Sequence, residues 1–212
     1  MTTYYIPEFL ESAFNEGFTH LSWEKLPIGF YMLSMGNLKI TDGKIIACDP
    51  YMYNNEIPFE TTFPTGPFPV QLAIAKIKTD ERVALARINF DEAAMPVNWQ
   101  MAVIPGQDLS TLKKGQIFGY PVDAGTGAFM DAAAGKVFEE YCDNEDIDEV
   151  TEEMEKSYKN TWSWLLKELD GHAIAMFSSG WGDGFYASYI GFSENGKICR
   201  LVTDFGVIGE EV

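Results

Sequence analysis

Ser178-Ser179-Gly180-Trp181-Gly182-Asp183-Gly184-Phe185-Tyr186-Ala187-Ser188-Tyr189-Ile190-Gly191-Phe192 is the stretch on which the fold class turns. Its head alternates glycine with one Trp and one Asp, so the backbone there can take positive φ or lie close to another segment. Its tail carries Phe185, Tyr186, Tyr189, Ile190 and Phe192, the aromatic and β-branched types that suit a pleated surface. A glycine-rich turn feeding such a run predicts a central strand of an antiparallel sheet, with residues 180–184 at one rim.

Working outward, Ser193-Glu194-Asn195-Gly196 predicts a tight turn into a strand over 197–205, and a further strand is expected over 172–177. Toward the N-terminus, strands are predicted over 28–35, 68–78, 81–90, 99–104 and 116–122. Asp42-Gly43 predicts a two-residue hairpin joining 38–41 to 44–47, and Thr79-Asp80 a second reversal. Residues 51–67 carry Pro58, Pro64, Gly66 and Pro67 without a period and read as a loop.

Three helices are expected. Residues 7–16 place Leu10, Ala13, Phe14 and Phe18 on one face, with Pro7 in the first turn and Gly17 at the end. Asp123-Ala124-Gly125-Thr126-Gly127 is a turn that should open a helix over about 128–141, with Phe129, Ala133, Val137 and Phe138 on one side. A longer helix is expected from Asp146, which forms a capping box with Glu149, to Leu169. Its stripe is Ile147, Val150, Met154, Tyr158, Trp162, Leu165 and Leu169, with Glu152–Lys156 and Glu155–Lys159 as i,i+4 pairs. The expected fold is therefore α+β: a single domain with a mostly antiparallel sheet, an N-terminal helix, and a helix pair (about 128–169) packed on it.

Charge narrows the partners. The 212 residues hold 32 Asp and Glu against 15 Lys and Arg, a net charge of −17, and ten of the acids fall within 139–155. Such a surface repels nucleic acid and anionic lipid, and no basic run offers an exception; a basic protein is the partner it suits. With 46% hydrophobic residues the chain can build a core. Cys48, Cys142 and Cys199 are odd in number and include no Cys-x-x-Cys, which argues against a disulfide framework or a thiolate zinc site. With no signal-peptide pattern at Met1-Thr2-Thr3-Tyr4-Tyr5 and no membrane-spanning apolar run, the expected location is the cytoplasm.

Three separated blocks resemble a known family. The first is Gly43 with Ile46-Ala47-Cys48-Asp49-Pro50, Pro58-Phe59 and Pro64-Thr65-Gly66-Pro67-Phe68-Pro69-Val70. The second is Val122-Asp123-Ala124-Gly125-Thr126-Gly127. The third is Ser179-Gly180-Trp181-Gly182-Asp183-Gly184-Phe185-Tyr186 with the later Asp204-Phe205. Together, over roughly residues 25–207, they are similar to bacterial domain-of-unknown-function family 4241. The resemblance implies no activity, cofactor or catalytic residue.

Four aspartates stand at turns or strand ends: Asp49, Asp123, Asp183 and Asp204. They could converge to bind a hard cation, Mg²⁺ or Ca²⁺, or act as an acid–base pair. Alternatively, each could cap its own turn. Asp123–Gly127 before a helix could cradle phosphate, though it lacks a P-loop lysine. Cys48 with His20 or His172 matches no thiol-nucleophile signature, and Ser179 is not in a nucleophile elbow. Trp181, flanked by glycines, is either a stacking platform or a plug for the core. The candidate ligand-binding rim is Cys48, Asp49, Pro50, Asp123, Gly125, Gly127, Gly180, Trp181, Gly182, Asp183 and Gly184. The expectation is a binding protein rather than an enzyme, without cofactor, that recognises a protein or small ligand; one version is an acidic, antitoxin-like partner of a basic protein. The alternative is a metal-assisted hydrolase on Asp49, Asp123 and Asp183. Nothing in the sequence points to an oligomeric state.

Overall fold

A computed structural model describes residues 4–21, 26–54, 56–144 and 147–208. In chain order its strands are β1 (Thr19–Leu21), β2 (Pro27–Ile40), β3 (Ile45–Cys48), β4 (Gly66–Ile77), β5 (Asp80–Asn89), β6 (Pro96–Met101), β7 (Tyr120–Val122), β8 (Thr126–Asp131), β9 (Trp164–Leu169), β10 (His172–Ser178), β11 (Gly184–Tyr186), β12 (Ser188–Ser193) and β13 (Ile198–Asp204). Helices α1 (Ala132–Asn144) and α2 (Ile147–Glu155) lie between β8 and β9. All strand pairings are antiparallel.

The strands form a large sheet of seven, ordered β1-β2-β4-β5-β13-β12-β6, a second of four, ordered β3-β8-β10-β9, and the pair β11-β7. The period-2 alternation of the second sheet fixes its place. Ile45, Phe129, Ala173, Ala175 and Phe177 face the large sheet, while Ile46, Cys48, Ala128, Met130, Ile174 and Met176 face away. The outward set is covered by Ala134 and Phe138 of α1 and Val150 and Met154 of α2. The layers therefore run large sheet, second sheet, helices.

The other face of the large sheet is covered by residues 9–14. Arg87 lies with its guanidinium 4.0 Å from the centre of the Phe14 ring and donates to Gln71 (2.7 Å). Glu11 pairs with both Arg87 and Arg200, each at 3.1 Å. Arg200 also donates to the carbonyls of Asp91, Cys199 and Ala94, so a guanidinium buried between layers has its donors matched.

This architecture corrects the α+β expectation: among the described residues the fold is mostly β, with two α-helices on one flank. The N-terminal helix is a single 3-10 turn, Ser12–Phe14, although Leu10, Ala13 and Phe14 do share the core. The helix expected over 128–141 begins as the buried strand β8, and α1 starts only at Ala132, where Asp131 Oδ1 accepts the Ala133 N–H at 2.8 Å. The helix expected to reach Leu169 stops at Glu155. Ser157 Oγ then accepts the Trp164 N–H (2.7 Å), Asn160 takes φ 60°, and Leu165 and Leu169 enter β9. The Glu152–Lys156 and Glu155–Lys159 pairs lose their helix, and Glu153 pairs instead with Lys167 at 2.8 Å. The Asp146 cap lies outside the described residues.

Asp42-Gly43 turns the chain without pairing its flanks: β2 ends in the large sheet and β3 enters the second. The reversals at 78–79 and 193–197 do join neighbouring strands, β4–β5 and β12–β13. The opening stretch divides at Ala187 into β11 and β12, and β12 lies between β13 and the edge strand β6.

Candidate functional site

Strand register brings three turns to one end of the second sheet. Cys48 at the end of β3 pairs with Ala128, and Ser178 at the end of β10 pairs with Thr126. The turn after β3, the turn before β8 and the turn after β10 are therefore neighbours, although they come from distant parts of the chain.

Carboxylates bind these turns together. Asp49 is 3% exposed; its Oδ1 accepts from the Tyr51 N–H (3.0 Å), and its Oδ2 from the N–H groups of Asp123 (2.9 Å) and Ala124 (2.7 Å). Asp183 Oδ1 accepts from the Gly125 N–H at 3.1 Å, and the Gly125 carbonyl accepts from the Ser179 N–H at 3.0 Å. Within the last turn, the Gly182 N–H donates to the Ser179 carbonyl, while Ser179 Oγ and the Tyr186 hydroxyl both donate to the Gly182 carbonyl, all at 2.8 Å. Gly180 is required: at φ 58° a Cβ would lie 2.8 Å from the Phe205 carbonyl oxygen. Beneath the turns runs an aromatic ladder, Phe129–Phe177–Phe205–Tyr186, with ring centres 5.2, 5.8 and 5.1 Å apart.

Trp181 points outward. It is 55% exposed, and the guanidinium of Arg82 lies 4.9 Å from its ring centre. Asp80 holds Arg82 at 2.9 Å and accepts from Thr161 Oγ1 at 2.7 Å, so the stacking partner is itself fixed. Phe185, four residues on, is 50% exposed. Beside the Asp49 and Asp123 turns opens a cleft of about 360 Å³, with Tyr51, Ala124 and Thr126 on the sheet side and Thr151, Glu155 and Tyr158 on the other.

The remaining candidates fall elsewhere. Cys48 is buried against the helices, and burial, with the charges of Glu56 and Asp49, pushes its thiol well up, which leaves no thiolate for nucleophilic chemistry. Pro50 is buried at the start of a 3-10 turn that Asp49 caps. Gly127 lies inside β8, paired with Phe177, so the phosphate-cradle reading loses the helix it needed. Gly184 opens β11. Asp204 closes β13 and lines a different cavity; its Oδ1 accepts the Gly206 N–H, and burial pushes its carboxyl up to about 7. Among the described residues, no three His, Cys, Asp or Glu side chains are close enough to hold a metal ion.

Sequence reasoning overlooked Arg87, Arg200 and Glu81. The two arginines were visible as lone cations inside apolar strands, a pattern that requires buried counter-charges. Glu81 of β5 accepts from Tyr31 of β2 in the same sheet (2.8 Å) and from Trp162 in the segment before β9 (3.3 Å).

The geometry describes a mostly β, layered domain whose acidic turns are stapled to one another and raise an exposed Trp at one end. The chain belongs to the family described as Protein of unknown function (DUF4241), whose model matches residues 38–203. Neither the curated proteins nor the solved structures give a match to this chain. Among the described residues, no helix is long and apolar enough to cross a membrane.

Proposed function

We propose that this is a binding module which takes a macromolecular partner on the rim at residues 180–185, with Trp181 as the anchor. The observation that carries the reading is an exposed Trp on a turn held by the bonds of Ser179, Gly182, Asp183 and Tyr186. Large aromatics on preorganised backbone are the residues that dominate binding energy, because little freedom is lost on contact. Arg82 stacked on the ring adds a second hot-spot residue type. With a net charge of −17 the preferred partner is a basic protein, whose approach such a field accelerates. In its most specific form, the module is an acidic, antitoxin-like partner that sequesters a basic protein in the cytoplasm.

The metal-assisted hydrolase reading, with Mg²⁺ or Ca²⁺ on Asp49, Asp123 and Asp183, has less support. Asp49 already accepts three main-chain N–H groups, and one oxygen of Asp183 accepts a fourth. Those oxygens would have to give up main-chain hydrogen bonds to take a cation.

The test is co-purification from the cells of origin with tagged full chain and its Trp181→Ala variant, across a salt series. The expected result is a basic protein held by the wild type, released by the variant and released as salt rises. Equal retention by both chains, or no retained protein, overturns the reading.

A further inference from the structure

The cavity lined by Asp204 shares Phe185 and Tyr186 with the end of the rim, but Trp181 does not line it, nor does any residue of the cleft beside Asp49. It measures about 270 Å³, and its walls include Tyr5, Ile117, Phe185, Tyr189 and Ile208. Tyr189 and Ile208 are buried, whereas Tyr5 and Phe185 are 41% and 50% exposed and stand toward solvent. Among the described residues, Asp204 is the one acid on this apolar wall. Its Oδ1 accepts the Gly206 N–H at 3.0 Å, and among the described residues it forms no ion pair.

An acid so placed is mismatched. Burial pushes its carboxyl up to about 7, against the opposing pull of the Gly206 N–H. Among the described residues, the titratable groups lining the cavity with it are the phenols of Tyr5, Tyr186 and Tyr189, with Tyr4 near Tyr189, and no lysine, arginine or histidine lines it. What would relieve the mismatch is a cation that brings its own apolar stem. The carboxylate pairs with the charged head, and aromatic faces attract cations through their ring quadrupoles. A bare, strongly hydrated metal ion would gain little from such walls, and anions are repelled by the protein's overall charge.

We propose that this cavity is a site for an organic cation, an alkylammonium or alkylguanidinium group, with Asp204 as counter-ion and Phe185 and Tyr5 as flanking aromatic walls. The group could belong to a free amine or to the lysine or arginine side chain of a peptide. The site shares Phe185 with the rim but does not rest on the proposed protein partner, because a free amine can occupy it whether or not such a partner exists.

Calorimetric titration of the full chain with n-butylammonium, n-butylguanidinium and n-butanol tests the proposal. The cations are expected to bind, and butanol is not at the same concentration. Affinity should be about tenfold higher at pH 8 than at pH 6, because the carboxyl ionises over that interval while the amine stays charged. Asp204→Asn should lose at least about tenfold affinity along with the pH dependence. Phe185→Ala, at a half-exposed position, should weaken binding a few-fold with its melting temperature unchanged. A capped Gly-Gly-Lys-Gly-Gly peptide that binds as well as butylammonium assigns the site to side chains; a peptide that fails where butylammonium binds assigns it to free amines. Equal binding of butanol and butylammonium, a flat pH profile in the wild type, or undiminished binding in Asp204→Asn overturns the proposal.

Discussion

Asp49 and Asp204 are both acids at the end of a strand, the first buried and the second partly exposed on a cavity wall, and the fold treats them in opposite ways. Asp49 accepts three main-chain N–H groups and fastens two turns together. Asp204 accepts one, from its own turn, and faces an aromatic cavity. The difference teaches how to read burial. A carboxylate surrounded by donors is part of the scaffold, whereas one set against aromatic walls is held at a cost that a ligand or a proton removes. Glu11, between two arginines, belongs with Asp49.

Removing a matched acid should therefore hurt most. Glu11→Ala removes the ion-pair partner of the buried Arg87 and Arg200 and is expected to cost about 3–5 kcal/mol in urea unfolding. A loss below about 1 kcal/mol would mean that water reaches the arginines and would dissolve the distinction. Asp49→Ala orphans three N–H donors and should cost about 2–4 kcal/mol; Asp49→Asn, which keeps one acceptor oxygen, should recover part of that. Equal losses in the two variants would indicate that packing, and not acceptance, is what Asp49 provides.

The mismatched acid should reveal itself as a slope. The folded state of Asp204 holds its proton up to about 7, against 3.8 for a free carboxyl, so more protons are bound folded than unfolded between those limits. This group's contribution is therefore present at low pH and is lost as pH rises from about 4 through about 7. Asp204→Asn should flatten that part of the stability profile, gaining on the wild type at pH 8 relative to pH 4.5. Parallel profiles would remove Asp204 from the comparison. The smallest effect is expected at Asp183→Asn: it accepts a single N–H at an exposed position and keeps an oxygen to do so, so the loss should be about 1 kcal/mol or less by thermal melting.

Local signals carried much of the β structure. Residues 68–90 alternate cleanly and turn where expected, and Asn195-Gly196 joins the last two strands of the large sheet. The helices were misread for a physical reason. Ala128 to Met130 is a short, fully buried run that presents small and large residues to two cores, and periodicity cannot tell such a strand from a helix. Likewise Trp162, Leu165 and Leu169 keep a spacing of three or four by accident, and Ser157 together with the left-handed Asn160 decides the outcome. Asp42-Gly43 announced a reversal but could not announce that its arms would join different sheets. At the site, sequence named the turns and their aspartates but not their bonding partners. The Asp49 bonds cross 74 and 75 residues, a distance over which no local pattern reports.

The place of β13 has a consequence for how the molecule assembles. It lies between β5 and β12 in the large sheet, and Arg200 within it bonds Glu11, 189 residues away. Until that strand arrives, β5 has an unpaired flank of backbone donors and acceptors, open to any passing strand. Contacts between such remote parts of a chain make for slow folding, and the interval before closure is when a growing polypeptide is most exposed to aggregation and most in need of a chaperone.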